Sequence, residues 1–112
     1  MKKTLIKRAL LSAVGVLVLS TAHAEGDKTK GASYYAVCAG CHGADAMGME
    51  ATNAPRLQGQ FDWYLIRQLK NYQAGARGVH KDDKYGPTMR GMASTLPSEQ
   101  AIMDVVAYID SL

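Results

Sequence analysis

The chain has 112 residues, with 13 Lys and Arg against 10 Asp and Glu and a formal net charge of +3. That length suits one ordinary domain, so the expectation is a single domain and not a multidomain assembly. The positive balance belongs to one end: Lys2, Lys3, Lys7 and Arg8 open the chain, and every acidic residue stands at or beyond Glu25.

A basic start, an apolar run from Ala9 to Leu19 and the small-residue ending Ala22-His23-Ala24 make the pattern of a secretory signal peptide over residues 1–24, cleaved after Ala24. The run falls well short of the ~20 apolar residues a membrane-spanning helix needs, so the expectation is export with no stable membrane insertion. Lys7-Arg8 is not a twin-arginine pair, and no Cys stands at the cleavage point to take a lipid. Residues 25–112 then carry nine basic and ten acidic side chains, a net charge of −1. A near-neutral domain without a basic stripe excludes broad nucleic-acid binding. A chain this short has a small core, to which a buried cofactor would add materially.

In chain order, Lys28 to Cys38 reads as a short helix with Asp27 as its N-cap. Gly43 to Gln60 is interrupted by Gly48, Pro55 and Gly59 and reads as loop. Phe61 to Ala74 reads as a second helix, with Phe61, Leu65, Leu69 and Tyr72 on one face and Gly75 as the stop. Gly75 to Thr95, with Pro87 inside, reads again as loop. Pro97 to Leu112 reads as the last helix, with Pro97 in its first turn and Ile102, Val105, Val106 and Ile109 along one face. No stretch alternates polar and apolar residues long enough for a sheet. The class is therefore all-α: about three main helices and two loops of roughly 20 residues, a length that usually means the loops bind something.

The only cysteines, Cys38 and Cys41, are followed at once by His42. Cys-x-x-Cys-His is the attachment signature of a c-type haem. Two thiols three residues apart reach the two vinyl groups on one edge of a porphyrin, and the adjacent imidazole turns under the ring to the iron. Three rival readings exist. A structural disulfide is open to any exported protein, a thioredoxin-like redox pair lacks its βαβ context here, and a zinc site lacks donors beyond His80 unless carboxylates are recruited.

With this motif the chain resembles the class I c-type cytochromes, in particular the single-haem units of bacterial dihaem cytochromes c and their small monohaem relatives. Gly31 and Tyr35 precede Cys38 as in that family's first helix. Asn53-Ala54-Pro55-Arg56-Leu57 resembles its loop on the histidine side, Trp63-Tyr64-Leu65 its middle helix, Tyr85-Gly86-Pro87-Thr88-Met89-Arg90 its methionine loop, and Ala107-Tyr108-Ile109 the end of its last helix. Pro97 departs from the pattern, since relatives more often place a Ser or Asp helix cap there. The resemblance implies one covalent haem c wrapped by the helices and loops, with His42 as proximal ligand and the Pro55 carbonyl accepting its other ring N–H.

Candidates for the second axial ligand are methionines. Met47 and Met49 follow His42 so closely that, at ~3.3–3.6 Å per residue, the chain barely rounds the porphyrin edge. Met103 lies on the last helix and reads as packing. Met89 and Met92 remain, and the resemblance favours Met89. His80, among Lys81, Asp82 and Asp83, reads as solvated. Arg56, Trp63, Tyr64 and Arg90 are the candidates to meet the haem propionates. The implied function is a periplasmic one-electron carrier and not an enzyme, shuttling between an upstream reductase or dehydrogenase and a downstream oxidase or reductase. The alternatives are a haem enzyme or gas sensor with a labile sixth ligand, or a fixed electron-transfer subunit of a dehydrogenase.

Overall fold

A computed structural model describes residues 25–112, so the leader reading of residues 1–24 lies outside the described residues. The elements are α1 (Lys28–His42), a 3-10 turn (Glu50–Thr52), α2 (Asp62–Gln73), α3 (Gly86–Ala93) and α4 (Glu99–Asp110). Among the described residues the sole β pairing is the isolated bridge of Met49 with Ala54, so the fold is all-α. No helix among them is long and apolar enough to cross a membrane.

α1 starts where the Asp27 carboxylate accepts hydrogen bonds from the backbone N–H groups of Thr29 (2.9 Å) and Lys30 (3.2 Å). It runs four residues past the expected end at Cys38, which places both cysteines and His42 on its last turns. Gly43 then stops it at φ 85°, a left-handed conformation that costs glycine little, and donates its N–H to Ala39 O.

Two sequence expectations need correction. The segment from Gly75 to Thr95 is not loop throughout: Gly86–Ala93 forms α3, with Pro87 in its first turn. Eight residues containing Gly86 and Gly91 show too little periodicity to read as a helix, and packing against α2 supplies what propensity lacks. The last helix begins at Glu99, not Pro97. Ser98 is its N-cap, accepting from Ala101 N at 3.1 Å, and Pro97 lies outside. The Ser cap expected near Pro97 stands one residue further on.

α1 and α4 cross so closely at Gly31 that a Cβ there would stand 1.9 Å from the Asp104 carbonyl oxygen. Tyr35 packs on Tyr108 at 5.3 Å between ring centres. Ile102, Val105, Val106 and Ile109 join Tyr35, Leu65 and Leu96 in the core. Asp104, a buried carboxylate within this crossing, accepts from Asp27 N (2.8 Å) and Gln100 Nε2 (2.9 Å). The backbone N–H of Asp27, the Gln100 amide and the charge of Lys30 hold its carboxyl below the usual range, against the opposing pull of burial.

Candidate functional site

The four helices enclose a largely apolar cavity of about 530 Å³, within the ~300–1,000 Å³ typical of small-molecule sites. α4 contributes Val105 and Ile109, and α2 contributes Leu65, Leu69 and Tyr72. Cys38 and His42 enter from α1, Pro55 and Leu57 from the loop behind it, and Met89 and Met92 from α3.

His42 is 4% exposed, and its Nδ1 lies 2.8 Å from the carbonyl oxygen of Pro55. With Nδ1–H donating there, the lone pair sits on Nε2, which is buried and has no hydrogen-bond partner. An unpartnered buried nitrogen costs free energy unless a ligand meets it, and a neutral imidazole held by a backbone carbonyl is the usual form of a metal-binding histidine. The loop that carries Pro55 is tied down by Ala46, whose carbonyl accepts from Leu57 N (2.8 Å) and Gln58 N (3.0 Å). Tyr35 adds a second tie, donating its hydroxyl to the Gly43 carbonyl at 2.7 Å. Burial is the largest cause that pushes this phenol up to about 12.

Cys38 and Cys41 are not joined as a disulfide. Cys38 is half-buried in the cavity lining, where burial first and neighbouring Cys41 second push its thiol up. Cys41, one turn on, is exposed outside the lining. Among the described residues no group of three or more His, Cys, Asp and Glu is placed to hold a metal ion.

Of the candidate sixth ligands, Met89 and Met92 both line the cavity from one face of α3. Met47 and Met49 are exposed outside it. His80 is exposed beside Asp82, also outside it. Arg56 and Tyr64 line the cavity, but Trp63 and Arg90 do not. Trp63, 53% exposed, stacks on Phe61 (5.9 Å) under the guanidinium of Arg67 (5.0 Å). Arg90 faces a separate shallow groove with Gln73 and Pro87. In their place the fold brings Gln60, Gln68 and Arg77 to the cavity. Arg77 lies over the Tyr72 ring at 4.7 Å and donates to Gln68 Oε1 at 2.9 Å. Sequence reasoning missed it because a lone Arg in a Gly-rich stretch carries no period to mark the direction it faces.

The cytochrome c family model matches residues 29–112. The chain belongs to the cytochrome c family. Cytochrome c4 of Pseudomonas aeruginosa is 38% identical over 111 residues, which is 99% of this chain and 49% of that protein. The thiosulfate dehydrogenase electron acceptor of Stutzerimonas stutzeri is 41% identical over 103 residues, 87% of this chain and 44% of its own length. Cytochrome c-554(548) of Halomonas halodenitrificans is 33% identical over 86 residues, 77% of this chain and 96% of its own. The chain thus spans about half the length of the cytochrome c4 relatives it matches. As a family member it is a class I c-type cytochrome, which implies covalently bound haem c, and Cys38 and Cys41 have the spacing of an attachment pair. The cavity suits that group: it is apolar, carries one thiol in its wall, and offers one unpartnered histidine nitrogen and two thioethers.

Proposed function

We propose that this cytochrome is a periplasmic one-electron carrier whose haem iron is held by His42 and Met89. The observation that carries the reading is the unpartnered Nε2 of His42 in the same cavity as the thioethers of α3. Bound haem c supplies reversible one-electron exchange at its iron, and a thioether raises the potential. Pro55 fixes the His42 tautomer and ring orientation. Met89 is favoured over Met92 by its place in the Tyr85-Gly86-Pro87-Thr88-Met89 run. Arg56, Gln60, Tyr64 and Arg77 offer donors for the two propionates. If His42 and Met89 both hold the iron, they would leave it no place for a substrate, which argues against the enzyme and sensor readings. One relative is named as an electron acceptor of thiosulfate dehydrogenase, and a dehydrogenase donor suits this chain as well. Encounters of this kind use small, transient interfaces.

Paired methionine variants test the reading. Reduced Met89→Ala protein is expected to bind carbon monoxide and to have a lowered potential, while Met92→Ala leaves both as in the wild type. Reversal of the two phenotypes moves the ligand to Met92. Rapid carbon monoxide binding by the reduced wild type overturns the closed site.

A further inference from the structure

α3 carries both candidate thioethers, yet it has little to hold it in place by itself. It has eight residues, below the ~12–15 at which isolated helices persist in water. Its N-cap residue, Tyr85, makes no side-chain capping bond. The missing cap comes from further upstream. Asp83 Oδ1 accepts from the backbone N–H of Gly86 at 2.7 Å and of Tyr85 at 3.2 Å. The backbone N–H of Asp83 itself donates to the His80 carbonyl at 3.0 Å, which closes the turn beneath the carboxylate.

The contact is close on two sides. A Cβ on Gly86 would stand 1.8 Å from Asp83 Oδ2, and a Cβ on Gly78 would stand 2.6 Å from the Gly86 carbonyl oxygen. Glycine at these two positions lets the 78–83 turn and the start of α3 meet at backbone distance. Asp83 also lines the cavity, six residues ahead of Met89. A carboxylate at a helix N-terminus is favoured both by the free N–H groups and by the helix dipole.

We propose that Asp83 is a positioning residue that latches the start of α3 and so holds its methionine sulfur at bonding distance from the iron. This rests on the reading that a methionine of α3 completes the site. Without the latch the first turns of α3, which carry Met89, lose their anchor and release its thioether, while Gln73 still holds the far end of α3 at the Ala93 carbonyl and the bonds that fix His42 stay intact.

The test uses the holoprotein as wild type, Asp83→Ala, Asp83→Asn, Gly86→Ala and the Asp83→Ala/Gly86→Ala double variant. The readouts are the methionine-to-iron charge-transfer band of the ferric form and its affinity for imidazole. Asp83→Ala is expected to weaken the band and raise imidazole affinity about tenfold or more, as befits the loss of two hydrogen bonds to a charged acceptor. Asp83→Asn keeps an oxygen acceptor and is expected to stay near the wild type. Gly86→Ala is expected to resemble Asp83→Ala, and to add little in its presence because the carboxylate it meets is gone. A wild-type band and imidazole affinity in Asp83→Ala overturns the latch, even if thermal stability falls. A wild type that lacks the band overturns the methionine reading, and the latch with it.

Discussion

The two protein walls that face the haem are built by different means. His42 stands beside the attachment cysteines in sequence, ends its own helix, and is held by one backbone carbonyl on a loop that bonds back to Ala46. Met89 and Met92 sit on a short helix some 45–50 residues further on, held by a carboxylate cap and glycine contacts. One wall is specified by adjacency along the chain and the other by the docking of a separate element. The first should therefore fail only with the whole fold, and the second should fail by itself.

The largest effect breaks the histidine side. Cys38→Ser/Cys41→Ser is expected to lose the covalent cofactor and with it the cooperative fold, because an empty cavity of about 530 Å³ leaves the core unfilled. Intact mass of the exported wild type should equal residues 25–112 plus one haem, and the double variant should lack that addition. A compact, helical double variant by circular dichroism would show that the frame stands without its cofactor.

Gly31→Ala acts on the α1–α4 crossing that carries His42. The added Cβ would meet the Asp104 backbone, and helices that must part there should lose about 3 kcal/mol in denaturant unfolding. If the comparison holds, the potential of the surviving folded protein changes little.

Asp104→Ala removes the acceptor for Asp27 N and Gln100 and should cost about 1–3 kcal/mol. The sign of its pH dependence follows from a folded pKa lowered relative to the unfolded chain. The stabilisation is complete above the ordinary carboxylate range and is lost as pH falls through that range towards the folded value. Stability curves of wild type and variant should therefore converge in acid and separate towards neutrality. The smallest effect is that of Tyr35→Phe, which drops the hydroxyl bond to Gly43 behind the histidine and should cost about 1 kcal/mol in thermal unfolding.

Much of this molecule is legible in its sequence wherever the signal is local. The Cys38-x-x-Cys41-His42 run, the Asp27 cap, and the Ile102, Val105, Val106 and Ile109 stripe each depend on residues within a turn or two of one another. Residue spacing determines such features because the helix repeat and the reach of a capping side chain are fixed. Tertiary structure alone decided the rest. It made Gly86–Ala93 a helix, which its composition does not favour, by docking it on α2. It moved the start of α4 to Ser98, whose hydroxyl can reach Ala101 N where Pro97 has no cap to offer. It turned Trp63 and Arg90 away from the cavity and brought Arg77 and Asp83 to it. The direction of an aromatic or charged side chain on an amphipathic surface depends on which neighbour covers the adjacent face, and that neighbour comes from a distant part of the chain.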